Sequence, residues 1–270
     1  MSFEPINDDH AIDTVAFSVF FVAPLSAGAI NALMMNKAAW VDDLPHERRD
    51  TIQSFDMSQG GAGVGRIQEL PAVEYSYLRP DGRPVWALKT DISSISVLNT
   101  TYTRWEKVWP KSERILRAAL GAMSAYKNLP AVSEITFEVR DAFVCKNVDY
   151  DIASLINLEA EEIASFCEKA GALWHQHTGW FQELDEDYTV LNQLNIDSVD
   201  ARGLRQEERN IVSIKHMQRL RPAVPLTLNQ ILDADKLKLE EQIISLHGRN
   251  KELLNKLLTA DMANRIGLRD

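Results

Sequence analysis

His175-Gln176-His177, set between Trp174 and Trp180, is the arrangement in this chain that comes nearest to a metal chelate. Two imidazoles two residues apart share a face on a strand, and diverge by roughly 200° on a helix. No cysteine or carboxylate stands at a conventional ligand spacing from them, so the pair is read as surface or helix-end residues and no metal is expected. A cysteine nucleophile would need Cys145 or Cys167 beside a histidine and an orienting acid. Cys167 falls on the apolar side of an expected helix, next to Phe166, where a thiol is ordinarily buried and inert. Neither a Gly-x-Ser-x-Gly elbow nor a His-Glu-x-x-His run occurs. The expectation is a chain with no catalytic residues and no cofactor, a Cys/His-dependent hydrolase being the third alternative.

Two further stretches carry residue types suited to binding. Residues 58–65, SQGGAGVG, place Gly61 and Gly63 where backbone N–H groups could approach a phosphate. They lack the Lys-Ser/Thr ending of a Walker loop, and strand signals follow where a helix would be needed, so a hairpin-type connector is expected instead. Tyr102, Arg104 and Trp105 form a candidate recognition patch around Glu106. Thr103 and Glu106 also read as a capping box at the start of a helix. The carboxylate runs Glu159, Glu161, Glu162 and Asp185, Glu186, Asp187 are expected to be solvated faces.

Bulk properties narrow the partners. With 29 basic and 39 acidic residues the formal charge is −10, which repels phosphate backbones and argues against a broad nucleic-acid face. A basic strip of Arg202, Arg205, Arg209, Lys215, Arg219 and Arg221 is interrupted by Glu207 and Glu208 and reads as solvated surface. Two cysteines without a close pairing suit a reducing compartment. The first residues lack the basic and apolar regions of a secretory signal, and the apolar run VAFSVFFVA is nine residues, too short to span a bilayer. A soluble cytoplasmic protein with no membrane partner is expected.

The elements that must position these residues are read from hydrophobic period. Residues 15–23 form a strand, residues 25–40 a helix, residues 46–50 a charged turn and residues 51–57 a short strand. Alternation over residues 73–78, the turn Pro80-Asp81-Gly82 and a return strand from Pro84 give a hairpin. The parity of the apolar residues changes between Ile92 and Ile95, which requires a bulge or tight bend near Ser93-Ser94. A helix follows with Trp105, Val108, Ser112, Leu116, Ala119, Leu120 and Met123 on one face, and Pro110 in a first-turn position. In the second half a strand over residues 133–145, a helix over residues 158–174, strands over residues 188–199 and 210–220, and a long helix over residues 234–258 repeat that order. Asn250 is the one polar position in the last helix's seam of leucines and isoleucine. The expected fold is α+β with two related lobes, residues 14–130 and 131–270, each an antiparallel sheet packed by helices, the second ending in a long C-terminal helix.

The run from Asp91 through Asn99 to Tyr102-Thr103-Arg104-Trp105-Glu106, the strand around Ile135, and the ending with Leu246-His247, Asn250, Leu254 and Leu258-Thr259 resemble a sporadically distributed bacterial family with no assigned activity. The resemblance spans most of the chain and rests on a Tyr-x-Arg-aromatic-Glu signature. It implies no catalytic residue; it implies an accessory gene of the kind found among toxin–antitoxin, immunity and phage-defence functions. The leading expectation is therefore a non-enzymatic component that binds a protein partner. A small-molecule or nucleotide sensor using the cleft between the lobes and Gly61 and Gly63 is the alternative. Oligomeric state is left open.

Overall fold

A computed structural model describes residues 3–7, 9–56, 66–145, 150–171, 173–200, 210–233 and 239–269. Its strands are β1 (Phe3–Pro5), β2 (Ile12–Phe21), β3 (His46–Asp56), β4 (Arg66–Leu78), β5 (Pro84–Asp91), β6 (Ser94–Asn99), β7 (Val132–Cys145), β8 (Trp174–Glu183), β9 (Tyr188–Asp200) and β10 (Asn210–Pro222). Its helices are α1 (Ala27–Met35), α2 (Trp105–Ser124), α3 (Leu228–Leu232), α4 (Leu239–Leu257) and α5 (Ala260–Arg265). No helix among the described residues is long and apolar enough to cross a membrane.

The two-lobe expectation is overturned. All ten strands belong to one antiparallel sheet, ordered β3-β4-β5-β6-β2-β7-β10-β9-β8, with β1 alongside β7. Strands β2 and β7 open the two halves of the chain and bond to each other at the centre, from Ile12 opposite Asp141 to Phe21 opposite Val132. The cleft between lobes, on which the sensor alternative drew, therefore has no counterpart among the described residues. Helices are subordinate to this sheet, and the chain does not end on its long helix: α4 stops at Leu257 and the six-residue α5 follows.

Cross-strand register explains where the core lies. Tyr75, Leu88, Val97, Phe17, Phe137, Gln218, Asn192 and Trp180 stand opposite one another in a single row across eight strands. That row lies on the face that α1, α2 and α4 cover, and it turns from apolar to polar where β7 meets β10 and β9. On α2, Val108, Trp109, Ser112, Ile115, Leu116, Ala119, Leu120 and Met123 are buried, as an amphipathic stripe requires.

Several local expectations need correction. Residues 158–171 form successive turns rather than a helix. Backbone bonds join Ala160 to Asn157, Ile163 to Ala160 and Cys167 to Ala164, so inward residues recur at helical spacing without a helical ladder. The Gln176 amide takes two groups a helix would use, accepting from Ala164 N–H and donating to the Glu162 carbonyl. Phe166, beside Cys167 on the side such a helix would bury, is 52% exposed, and Leu173 is 53% exposed. His46 to Asp50 belong to β3, where Glu47 pairs with Arg49 and Arg48 with Asp50, two residues apart on a strand face. The parity change after Ile92 is the tight turn between β5 and β6, with Asp91 opposite Ser94. The turn before β5 has Gly82 at φ +81°, a conformation that favours glycine.

The N-terminus of α2 also differs. Arg104, in extended conformation, is the cap residue and makes no side-chain cap bond. The helix starts one residue later than a Thr103 cap requires, so Lys107 rather than Glu106 occupies the third helical position and the capping box is lost. Pro110 is the sixth helical residue, past the first turn, and α2 continues through it on its exposed side.

Candidate functional site

The helix-covered face of the sheet does not hold one apolar core but two. One gathers Phe17, Val97, Trp109, Phe137, Val139, Val190, Leu220, Ile243 and Leu246. The other gathers Phe143, Leu194, Ile196, Val212, Ile214, Leu253 and Leu257. Between them runs a buried polar stripe: Asp141 on β7, His216 and Gln218 on β10, Asn192 on β9 and Asn250 on α4. Each takes a position that alternation or helical spacing assigns to an apolar side chain. In β7, for instance, Asp141 stands between Val139 and Phe143 on the inward face.

Hydrogen bonds tie the stripe to α4. The His216 ring reaches Asn250 Oδ1 at 2.9 Å through Nδ1 and Asn192 Oδ1 at 3.2 Å through Nε2, and Gln218 donates to the Leu246 carbonyl at 2.7 Å. Burial lowers the His216 pKa to about 4, so the ring is neutral and can donate from one nitrogen only. One of the two amides must therefore present its NH2 to the ring. Asn192 is that residue, because its Nδ2 otherwise has no partner, and exchanging its oxygen and nitrogen gives the ring a donor. Trp180 stacks on the outer side of His216 with ring centroids 6.2 Å apart.

Two oxygens of the stripe have no hydrogen-bond partner among the described residues, Gln218 Oε1 and Asp141 Oδ1, and Asp141 is the one acidic member. Its carboxyl is fully enclosed, Oδ1 has no hydrogen-bond partner, and desolvation raises its pKa to about 7. Its strand neighbours are Ile12 and Ile214. The nearby Tyr102 hydroxyl is pushed up to about 12 by burial first, then by the charges of Glu106 and Asp141.

Tyr102 opens onto the patch that the sequence marks out. Its ring meets that of His10 edge-on at 5.3 Å. Two residues on, Arg104 is exposed and makes no ion pair among the described residues, and Glu106 is likewise exposed and unpaired. Between them Trp105, half-buried, lies flat on His247 of α4 with centroids 3.8 Å apart and planes 7° from parallel. Burial first, then Lys251, lowers the His247 pKa to about 4, so a neutral imidazole faces the indole. Phe137 meets both rings edge-on, and Trp109 stacks under Trp105 at 5.8 Å. Tyr102, Arg104 and Trp105 thus come together, joined by His10 and His247, which composition and spacing do not single out. Gly61 and Gly63 lie outside the described residues.

The remaining candidates separate. His175 and His177 are exposed on one face of β8, a strand and not a helix end, with Gln176 buried between them on the other face. Cys167 is buried, bonds the Gln176 amide at 3.6 Å, and has its pKa raised by burial, the state of an inert thiol. Among the described residues no three histidine, cysteine or acidic side chains gather as metal ligands would. An open cleft of about 840 Å³ shares no residue with the patch; Asp151, Glu159, Glu168 and Arg269 supply its charges. Compared with known proteins, the chain matches no family model, no curated protein and no solved structure.

Proposed function

We propose that this chain is a non-enzymatic, cytoplasmic interaction component that binds a protein partner through Tyr102, Arg104, Trp105 and His247. The observation that carries the reading is the flat Trp105–His247 stack, left half-exposed between Arg104 and Glu106, which make no ion pair among the described residues. Tryptophan, tyrosine and arginine are the residue types that dominate binding energy at interfaces, because they combine large rigid area with a polar handle. The partner segment that fits presents an apolar side chain to the outer edge of the stack and a carboxylate to Arg104. The N–H groups that open α2 add to that attraction, since no side chain caps them.

The resemblance to an accessory-gene family supports a role as antitoxin, immunity or defence component within this reading. The test is co-purification of the tagged full-length protein from its host beside the Arg104→Glu variant, with melts of both. One stoichiometric partner is expected, lost in the variant at unchanged melting temperature. A partner held equally by both proteins would overturn the proposal.

A further inference from the structure

The two edges of the sheet are built on opposite principles. The β3 edge carries Glu47, Arg48, Arg49 and Asp50, laced by ion pairs that also reach Lys37 at 2.8 Å. Charged side chains of this kind keep an edge from pairing with another strand. The β8 edge, WHQHTGWFQE, has one formal charge in ten residues, at Glu183, and no lysine, arginine or proline. Among the described residues β8 pairs only with β9, and the alternate backbone groups on its outer side have no backbone partner there. Phe181 on this strand is 65% exposed, and the exposed Phe166 and Leu173 lie on the segment leading into it.

We propose that β8 pairs with β8 of a second copy of this chain, antiparallel about a two-fold axis, extending the sheet across the dimer. Alternation restricts how this is done. Residues opposite one another in an antiparallel pair must point to the same face, and Gln176 points inward while His175 and His177 point outward. Only a residue, never a gap between residues, can then lie on the axis, and the two registers with the greatest overlap centre on Thr178 and Gly179. Charge selects Gly179. In that register Glu183 stands opposite His175 of the second copy, and His177 stands opposite Phe181, each contact made twice by symmetry. The lone carboxylate of the edge then meets an imidazole, whereas the Thr178 register would set it opposite the apolar Leu173. Gly179 itself brings no side chain to the axis, and a Cβ there would meet the Asn192 carbonyl of β9 at 3.0 Å. The His-x-His pair thus serves cross-strand pairing.

The test is the mass of the purified full chain in solution, by sedimentation or light scattering over a dilution series. The expected result is a reversible dimer of twice 30.5 kDa. His177→Lys combined with Phe181→Lys sets ammonium groups opposite each other across the axis and should give a monomer that still melts cooperatively, as both positions are exposed and the intrachain contact removed is that of Arg221 over the Phe181 ring at 5.8 Å. His177→Lys combined with Phe181→Glu places opposite charges there and should restore the dimer. A monomeric parent protein would overturn the proposal and leave the edge to a foreign strand. So would a dimer equally stable in both double variants.

Discussion

The polar stripe and the surface patch use nearly the same residue types to opposite ends. In the stripe His216 is enclosed by Asn192, Asn250 and Trp180, every ring nitrogen is engaged, and α4 is held in one position on β10. In the patch His247 is held by stacking on Trp105, and the charges of Arg104 and Glu106 beside it have no ion pair among the described residues. A buried polar network that is satisfied specifies how two elements dock. Polar and aromatic groups left half-exposed at the mouth of the same seam remain available to a partner. Neutral, low-pKa histidines therefore occur in both settings, and engagement of the ring nitrogens tells the two apart.

The largest effect expected from breaking this contrast is in the core beneath the patch. Trp109 is 3% exposed, and Trp109→Ala should cost about 3–5 kcal/mol in a denaturant melt through the cavity it leaves. Trp105, one turn earlier, is only half-buried, and Trp105→Ala should cost about 1–2 kcal/mol, mostly the lost stack. Equal losses at the two positions would mean that Trp105 belongs to the core and not to the patch.

Asp141 comes next and gives a signed pH dependence. Its folded pKa, about 7, lies above the ordinary 3.8, so the folded state holds a proton that the unfolded chain releases between these values. The stability this group contributes is complete below pH 3.8 and is lost as pH rises to about 7. Asp141→Asn should therefore match the parent near pH 4 and exceed it above pH 7 by on the order of 4 kcal/mol in denaturant melts. His216 and His247 have the opposite sign. Their pKa values fall from 6.5 to about 4, so their contribution is present above 6.5 and lost as pH drops toward 4. A variant with no gain at alkaline pH would show that the Asp141 carboxylate has a partner.

A smaller effect separates a satisfied network from a merely polar one. Asn250→Leu strands the His216 Nδ1 and should cost about 1–3 kcal/mol. Replacing Asn192, His216 and Asn250 together by leucine should cost less than the sum of the single changes, because no orphaned group remains. Additive losses in that cycle would dissolve the stripe as a unit.

Individual elements, though not the single sheet that unites them, were legible wherever period and turn chemistry act locally. The strands β2, β7, β9 and β10, the hairpin at Gly82 and the buried face of α2 all follow from alternation or helical spacing. The joining of β2 to β7 left no such mark, because pairing between residues so far apart in sequence depends on what the whole sheet buries. The turns before β8 mimicked a helix because bonds spanning three residues set Ile163 and Cys167 four apart on the inward side. Tyr102, Arg104 and Trp105 stand close in sequence and could be singled out there, whereas His10 and His247 reach them only through tertiary packing. The stripe had a signal in plain view: Asp141, Asn192, His216 and Gln218 each interrupt the apolar parity of a strand.

Whether a protein partner sits on the Trp105–His247 seam is tested most directly by site-specific photocrosslinking. A photoreactive side chain at Thr103, exposed between Tyr102 and Arg104, would be compared in the native host with one at His46 on the β3 edge. A single discrete protein adduct is expected from position 103, abolished by adding Arg104→Glu, and none from position 46. An adduct from position 46 with none from position 103 would contradict a partner at the seam.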